Sequence, residues 1–226
     1  ELSILPQLVE KDYWLMHCLW GLAFGFQFEL KGGTSLSKGF GIIDRFSEDI
    51  DIRINPPDDM EVKTGKSHDK PAHIGTRKKY FAWLQGAIKI PGIKSVVRDA
   101  AHDDERLRNA GIRLLYGSRF PVLAGLKEGV LLEVGFDDTT PNRDVTISSW
   151  TLDRALTQKV PVRDNRATRV KCYCPEYTFV EKLQTISTKF RQQQQRETFP
   201  ANFMRHYYDV HQLLAQPEVK KFIGTD

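Results

Sequence analysis

The chain has 226 residues, 40% of them hydrophobic and 27% charged, with a net charge of +4; this is enough for one good-sized core or two small lobes sharing a cleft. Its most apolar run, WLMHCLWGLAFGFQF, contains His17, two glycines and Gln27 and falls short of the roughly 18 apolar residues of a membrane span, so no membrane role is expected. Cys18, Cys172 and Cys174 are an odd count that argues against a secreted disulfide scaffold and for a reducing cytoplasm, and Cys172 and Cys174 lack the second pair a zinc site needs.

In chain order, apolar residues at 5, 8, 9, 15, 16, 19 and 22 predict a helix from Ser3 to Leu22, with Pro6 in its first turn. A short strand from Gln27 to Lys31 leads into a tight turn at Gly32-Gly33, and Thr34 or Ser35 is expected to cap a short helix ending near Lys38. Glu48 to Ile54 is the next strand. Asn55-Pro-Pro-Asp-Asp breaks it, and Glu61 to Pro71 reads as a polar loop. A helix follows from about Ile74 to Ile88, then strands at Ile112 to Tyr116, Gly129 to Phe136 and Val145 to Thr151, as in a mixed or antiparallel sheet. The last third is helical in period: apolar residues at 179, 183, 186 and 190 predict a helix over Pro175 to Phe190, and those at 203, 207, 210 and 214 another over Asn202 to Leu214. The basic, glutamine-rich Arg191 to Glu197 lies between them. The expected fold class is therefore α+β. A mixed-sheet lobe with flanking helices spans residues 1–155, a helical lobe spans 156–226, and a ligand cleft lies between them. From Lys159 to His206 ten Lys or Arg face four acids, a local +6 that suits a phosphate-rich partner as well as it suits a plain solvated surface. The chain starts at Glu1 without an initiator Met, so it is expected to be a trimmed form, and a removed leader stays open.

The stretch KGGTSLSKGFGIIDRFSEDIDIRI, residues 31–54, carries the chemistry. Alternation puts Asp49 and Asp51 on one strand face and Ile50, Ile52 and Ile54 on the other. Two nearby carboxylates repel unless a cation bridges them, and hard oxygen ligands suit Mg²⁺ together with phosphate oxygens. Glycines let the backbone approach a phosphate, and N–H groups at the start of the next helix point at it. Gly32-Gly33-Thr34-Ser35 thus reads as an anion cradle and Asp49/Asp51 as metal ligands. Other motifs lead nowhere. Thr64-Gly65-Lys66-Ser67 lacks the earlier glycine of a P-loop, His206 and His211 have the wrong spacing for HExxH, and His68, His73 and His102 read as surface residues.

Gly32-Gly33-Thr34-Ser35-Leu36 followed by Arg45-x-Ser47-x-Asp49-Ile50-Asp51 resembles the first motif of the AbiEii/AbiGii toxin family of nucleotidyltransferases, within the DNA polymerase β-like superfamily. Glu181-Lys182-Leu183 resembles the family's lysine motif, and Arg205-His206-x-Tyr208-Asp209-Val210 its arginine/aspartate motif. The likeness runs from about residue 8 to 214, with no matching motif between 55 and 110. It implies that Asp49 and Asp51 bind metal, that Gly33 and Ser35, within the Gly32 to Ser35 cradle, meet the nucleotide phosphates, that Lys182 meets the triphosphate, and that Asp209 is an essential acid. On the residues alone Asp209 reads equally well as the ion-pair partner of Arg205, one turn away. A third carboxylate on a later strand is usual in the superfamily. Glu133, the one charge in LLEVGF, is the candidate, with Asp137 or Asp138 as alternatives. The resemblance implies a Mg²⁺- or Mn²⁺-dependent transfer of NMP from NTP to an acceptor hydroxyl. It also implies a cytoplasmic toxin of a toxin–antitoxin or abortive-infection system, an RNA or tRNA acceptor, and a cognate antitoxin as partner. A small-molecule or protein acceptor is the alternative within the enzyme class. A non-catalytic phosphate- or RNA-binding module is the alternative outside it, and the intact Asp49-Ile50-Asp51 stands against that.

Overall fold

A computed structural model describes residues 4–121, 123–196 and 203–225. The first helix, α1 (Pro6–Leu22), starts with proline, whose missing N–H is no loss in a first turn. The chain then forms β1 (Phe28–Lys31), a short helical segment made of α2 (Gly32–Thr34) and a π-helical turn over Ser35–Gly39, and β2 (Asp49–Ile54). After α3 (Pro71–Ala87) come β3 (Ile93–Asp99), β4 (Asn109–Tyr116), β5 (Val130–Gly135), β6 (Asn142–Ile147), α4 (Trp150–Thr157) and β7 (Ala167–Tyr173). Three helices close the chain: α5 (Pro175–Arg196), α6 (Met204–Leu214) and α7 (Pro217–Phe222).

The strands make one mixed sheet in the order β3-β4-β5-β2-β1-β7-β6. β1 and β2 are antiparallel at its centre, flanked by β7 parallel to β1 and β5 parallel to β2. Alternation along β2 holds as predicted: Ile50, Ile52 and Ile54 are buried, and Asp49, Asp51 and Arg53 point the other way. The isoleucines join Leu30, Ile112, Leu132 and Val170 in a core closed by Leu15, Met16 and Leu19 of α1 and Tyr80, Phe81 and Leu84 of α3. One face of the sheet is thus sealed by apolar packing and the other is left for polar chemistry. A second cluster, Leu36, Ile42, Ile43, Phe179, Leu213 and Val219, fastens the closing helices to the segment after β1. The mixed sheet with helices is the α+β, nucleotidyltransferase-like class expected.

Several boundaries differ from those the residue pattern predicts. Val145 to Thr151 is not one strand: β6 ends at Ile147, and Ser149 caps α4 by accepting a hydrogen bond from the Leu152 N–H. β3 and β7 lie where the pattern predicts no strand, because the outward residues of β7, Thr168, Arg169 and Lys171, interrupt an apolar run. Since β7 pairs with β1, the sheet runs past the residue-155 boundary, and the helical part begins at Pro175. Neither Thr34 nor Ser35 caps a helix. The segment begins at Gly32, whose positive φ of 74° turns the chain straight out of β1. α5 continues through the glutamines to Arg196, and Asn202, the predicted start of the next helix, lies outside the described residues. No helix among the described residues is long and apolar enough to cross a membrane.

Candidate active site

The polar face of the sheet gathers the predicted carboxylates at its centre. Asp51 of β2 is paired in register with Glu133 of β5 on one side and Lys31 of β1 on the other. The Glu133 carboxyl stands beside Asp51 across the strand pair, and Lys31 extends to Asp137 at 3.4 Å. Of the three candidates for the third carboxylate, only Glu133 adjoins Asp51; Asp138 is engaged by the N–H of Thr140. Burial and then the neighbouring charge of Glu133 push the Asp51 carboxyl up to about 7, against the pull of Lys31 and Lys182.

Asp49 sits two residues earlier on the same face. Its Oδ2 takes an ion pair from Lys127 at 2.8 Å, while its Oδ1 is buried with no hydrogen-bond partner. Among the described residues, no three Asp, Glu, His or Cys side chains already converge as a finished cage for an ion. An orphaned carboxylate oxygen on Asp49 and a mutually repelling pair at Asp51 and Glu133 are nonetheless what a divalent cation would relieve, so the residues fit one.

The two glycines have a local reason. A Cβ on Gly32 would fall inside the Asp51 carboxyl, and one on Gly33 would sit 2.8 Å from Ser47 Oγ and 3.0 Å from Arg45 Nη2. Bare backbone here lets the turn close over β2. The hydroxyls that follow are buried and engaged inside the protein: Thr34 Oγ1 donates to the Asp49 carbonyl and lies 3.0 Å from Ser47 Oγ, whose hydroxyl it can accept, and Ser35 Oγ donates to the Gly32 carbonyl at 2.9 Å.

The closing helices complete the site with charge. Asp209 on α6 is fully buried. It accepts both prongs of Arg45, Nε to Oδ1 and Nη2 to Oδ2, and pairs with Lys182 of α5 at 3.0 Å. Burial alone would raise its carboxyl, but the Arg45 hydrogen bonds and the Lys182 and Arg45 charges outweigh it and hold the group below its usual range. Asp209 is therefore not paired with Arg205, as the one-turn spacing suggests. Lys182 is largely enclosed and its charge reaches Asp51. Two turns on, Lys189 meets His206 at 3.1 Å; burial and the charges of Lys182, Lys189 and Arg205 push His206 down to about 4.

These contacts match the predicted helix faces only in part: Phe179 and Phe203 of the stripes are buried and Val210 packs on the second cluster. Along α5 only Phe179 of the predicted stripe is buried, whereas Leu183 and Phe190 are 42% and 46% exposed and Lys182 and Lys189 turn inward. On α6 the buried side is His206, Asp209 and Leu213, while Tyr207 and Leu214 are exposed.

Four supporting groups are invisible to motif and period. Lys11 of α1 is buried and donates to the carbonyls of Lys127 at 2.7 Å and of Gly129, which ties the segment bearing Lys127 to α1. Asp12, also buried, accepts the Trp150 N–H at 2.8 Å and pairs with Lys38. Lys127 itself and His102, which reads as a surface residue, both touch a site carboxylate. Charged residues at buried positions of a helix are the available signal for the first two; nothing local marks the others.

A family model described as "Nucleotidyl transferase AbiEii toxin, Type IV TA system" matches residues 14–223. No curated protein and no solved structure matches the chain.

Proposed function

The chain belongs to the AbiEii family of nucleotidyl transferase toxins of type IV toxin–antitoxin systems, and from that premise we propose that it transfers an NMP from an NTP to an RNA hydroxyl, with a cognate antitoxin as its counterpart in the cytoplasm. The observation that carries this reading is the Asp51–Glu133 pair beside the partnerless oxygen of Asp49, at the lip of the Gly32-Gly33 turn. Asp49, Asp51 and Glu133 would hold Mg²⁺, or Mn²⁺ in its place. Bound there, the ion would neutralise the triphosphate and stabilise the attacking and leaving oxygens.

The chain's own residues divide the remaining tasks. Backbone N–H groups from Gly32 to Thr34 receive the phosphates, since the Thr34 and Ser35 hydroxyls and the Ser35 N–H are already engaged. Lys182, fixed by Asp209, presents a point charge to the triphosphate. The acceptor hydroxyl attacks the α-phosphorus, a new O–P bond forms, the bond to the β-phosphate oxygen breaks, and pyrophosphate leaves. Glu133 completes the ligand set or receives the hydroxyl proton. An RNA acceptor is supported by the excess of ten Lys or Arg over four acids between Lys159 and His206, with Arg191 and Arg196 exposed on the end of α5.

Each labelled NTP, incubated with total tRNA with and without Mg²⁺, tests the reading. Label is expected in RNA for one or two nucleotides, only with the metal, and lost in Asp49→Asn. Label in protein or in a small molecule would reassign the acceptor, and none under any condition would leave a binding module.

A further inference from the structure

His102 lies in a short 3₁₀ turn, Ala100–His102, between β3 and β4, and its Nδ1 is 3.0 Å from Glu133 Oε1. A carboxylate can only accept, so Nδ1 carries the hydrogen. The turn is fastened beside Glu133 with unusual thoroughness. Gly111 of β4 is the register partner of Glu133, and a Cβ there would stand 2.5 Å from the Asp99 carbonyl oxygen and 2.8 Å from His102 Cβ. Only glycine lets the turn lie flat on the strand. Asp103, just after His102, takes both oxygens' hydrogen bonds from Arg98 Nη2 at 2.7 and 2.8 Å and accepts the Gly111 N–H at 3.1 Å, while Arg98 Nη1 donates to the Gly111 carbonyl. Asp99, at the other end, is held by Arg113 Nε at 2.9 Å.

Two arginine–aspartate clamps thus bracket three residues, and the side chain they deliver to the site is the imidazole of His102. Glu133 needs such a partner. It is crowded against Asp51, and an unrestrained glutamate is free to rotate away from a like-charged neighbour.

We propose that His102 is a positioning residue, which fixes the Glu133 carboxyl for the metal set on which the proposed function rests. Groups that orient a ligand from behind typically change metal affinity about 10- to 100-fold when removed. The test is Mg²⁺ binding to the nucleotide-free protein by calorimetry, with thermal unfolding in EDTA alongside. His102→Leu should weaken binding about tenfold or more and leave the metal-free melting temperature close to wild type, since the side chain is 28% exposed. His102→Asn, whose amide can stand where Nδ1 stands, should restore most of the affinity. Wild-type affinity in His102→Leu, or no rescue by His102→Asn, overturns the proposal. If Asp49→Asn abolishes binding while His102→Leu does not, only this inference falls; if the wild-type protein binds no Mg²⁺, the metal reading falls with it.

Discussion

Arg45 and Asp209, 164 positions apart, meet in a two-pronged ion pair with both contacts at 2.7 Å, and Lys182 adds a third to the same carboxylate. One buried acid therefore joins the segment facing Gly33 to α5 and α6. Removing one partner of a buried pair costs about 3–5 kcal/mol. Asp209→Ala should lose about 3 kcal/mol in urea denaturation and most NTP transfer, yet keep Mg²⁺ affinity. Unchanged stability with lost Mg²⁺ binding would make Asp209 a metal ligand instead.

Asp51 supplies a signed pH dependence. Its folded carboxyl, raised to about 7, keeps a proton that the unfolded chain has released by about pH 5. Between those values the folded state binds more protons, so metal-free stability falls as pH rises from about 4 to about 7. Asp51→Asn removes that fall: in EDTA it should match wild type at pH 4 and exceed it by about 2–4 kcal/mol at pH 8, while transfer is lost. A destabilised variant at pH 8 would contradict the crowded-carboxylate reading.

Lys182→Met deletes a charge that serves both the Asp209 pair and the proposed triphosphate. The expected loss is about a hundredfold in kcat/KM for the NTP, with only partial recovery in Lys182→Arg. Stability should drop by about 1–2 kcal/mol, because Asp209 keeps Arg45 but loses its other cation. Lys79→Met, on an exposed turn of α3, is the control. Lys189 is unsuitable for that purpose, since it contacts His206. Equal kinetic loss in the control would rule out a special role for Lys182.

His206 is held neutral among Lys182, Lys189 and Arg205, with Asp209 the opposing charge. Its folded value of about 4 lies below that of a free imidazole, so the unfolded chain takes up its proton first, and stability is lost as pH falls from about 6.5 to 4. Against His206→Gln, wild type should lose about 3 kcal/mol across that window, measured as the difference of two denaturation series. Parallel curves would show that His206 is not shielded from protonation.

Arg191→Ala combined with Arg196→Ala should lower the slope of log affinity for RNA against log salt by about one to two and leave NTP affinity unchanged. Both side chains are exposed on α5, so a loss of both affinities together would mean that they shape the helix.

The legible part of the molecule follows short-range rules. Period two along Asp49 to Ile54 puts the two aspartates on one face, and the glycine pair together with the Asp-x-Asp strand is enough to point to the candidate site from the residues alone. For the closing helices the residue pattern gives the position along the chain but only part of the buried face. An apolar stripe is a guide to the buried side only when burial is apolar. Here α5 and α6 turn Lys182, Lys189, His206 and Asp209 inward, and some stripe residues stay in solvent. Ion pairs spanning 78 residues, Lys127 to Asp49, or 164, Arg45 to Asp209, leave no local pattern to read. β7 is hidden because a strand beside a polar face carries Thr168, Arg169 and Lys171 outward.

The place of β7 also sets when this protein becomes dangerous during its own synthesis. A ribosome that has finished Glu133 has made all three carboxylates, yet β1 still lacks the neighbour on its far side, which arrives only with residues 167 to 173. Lys182 and Asp209, which complete the charge of the site, come later still. Because the sheet is not complete before the last third of the chain emerges, prematurely terminated chains are expected to be inert, and the two halves separated near residue 155 would each present a raw strand edge rather than a working domain.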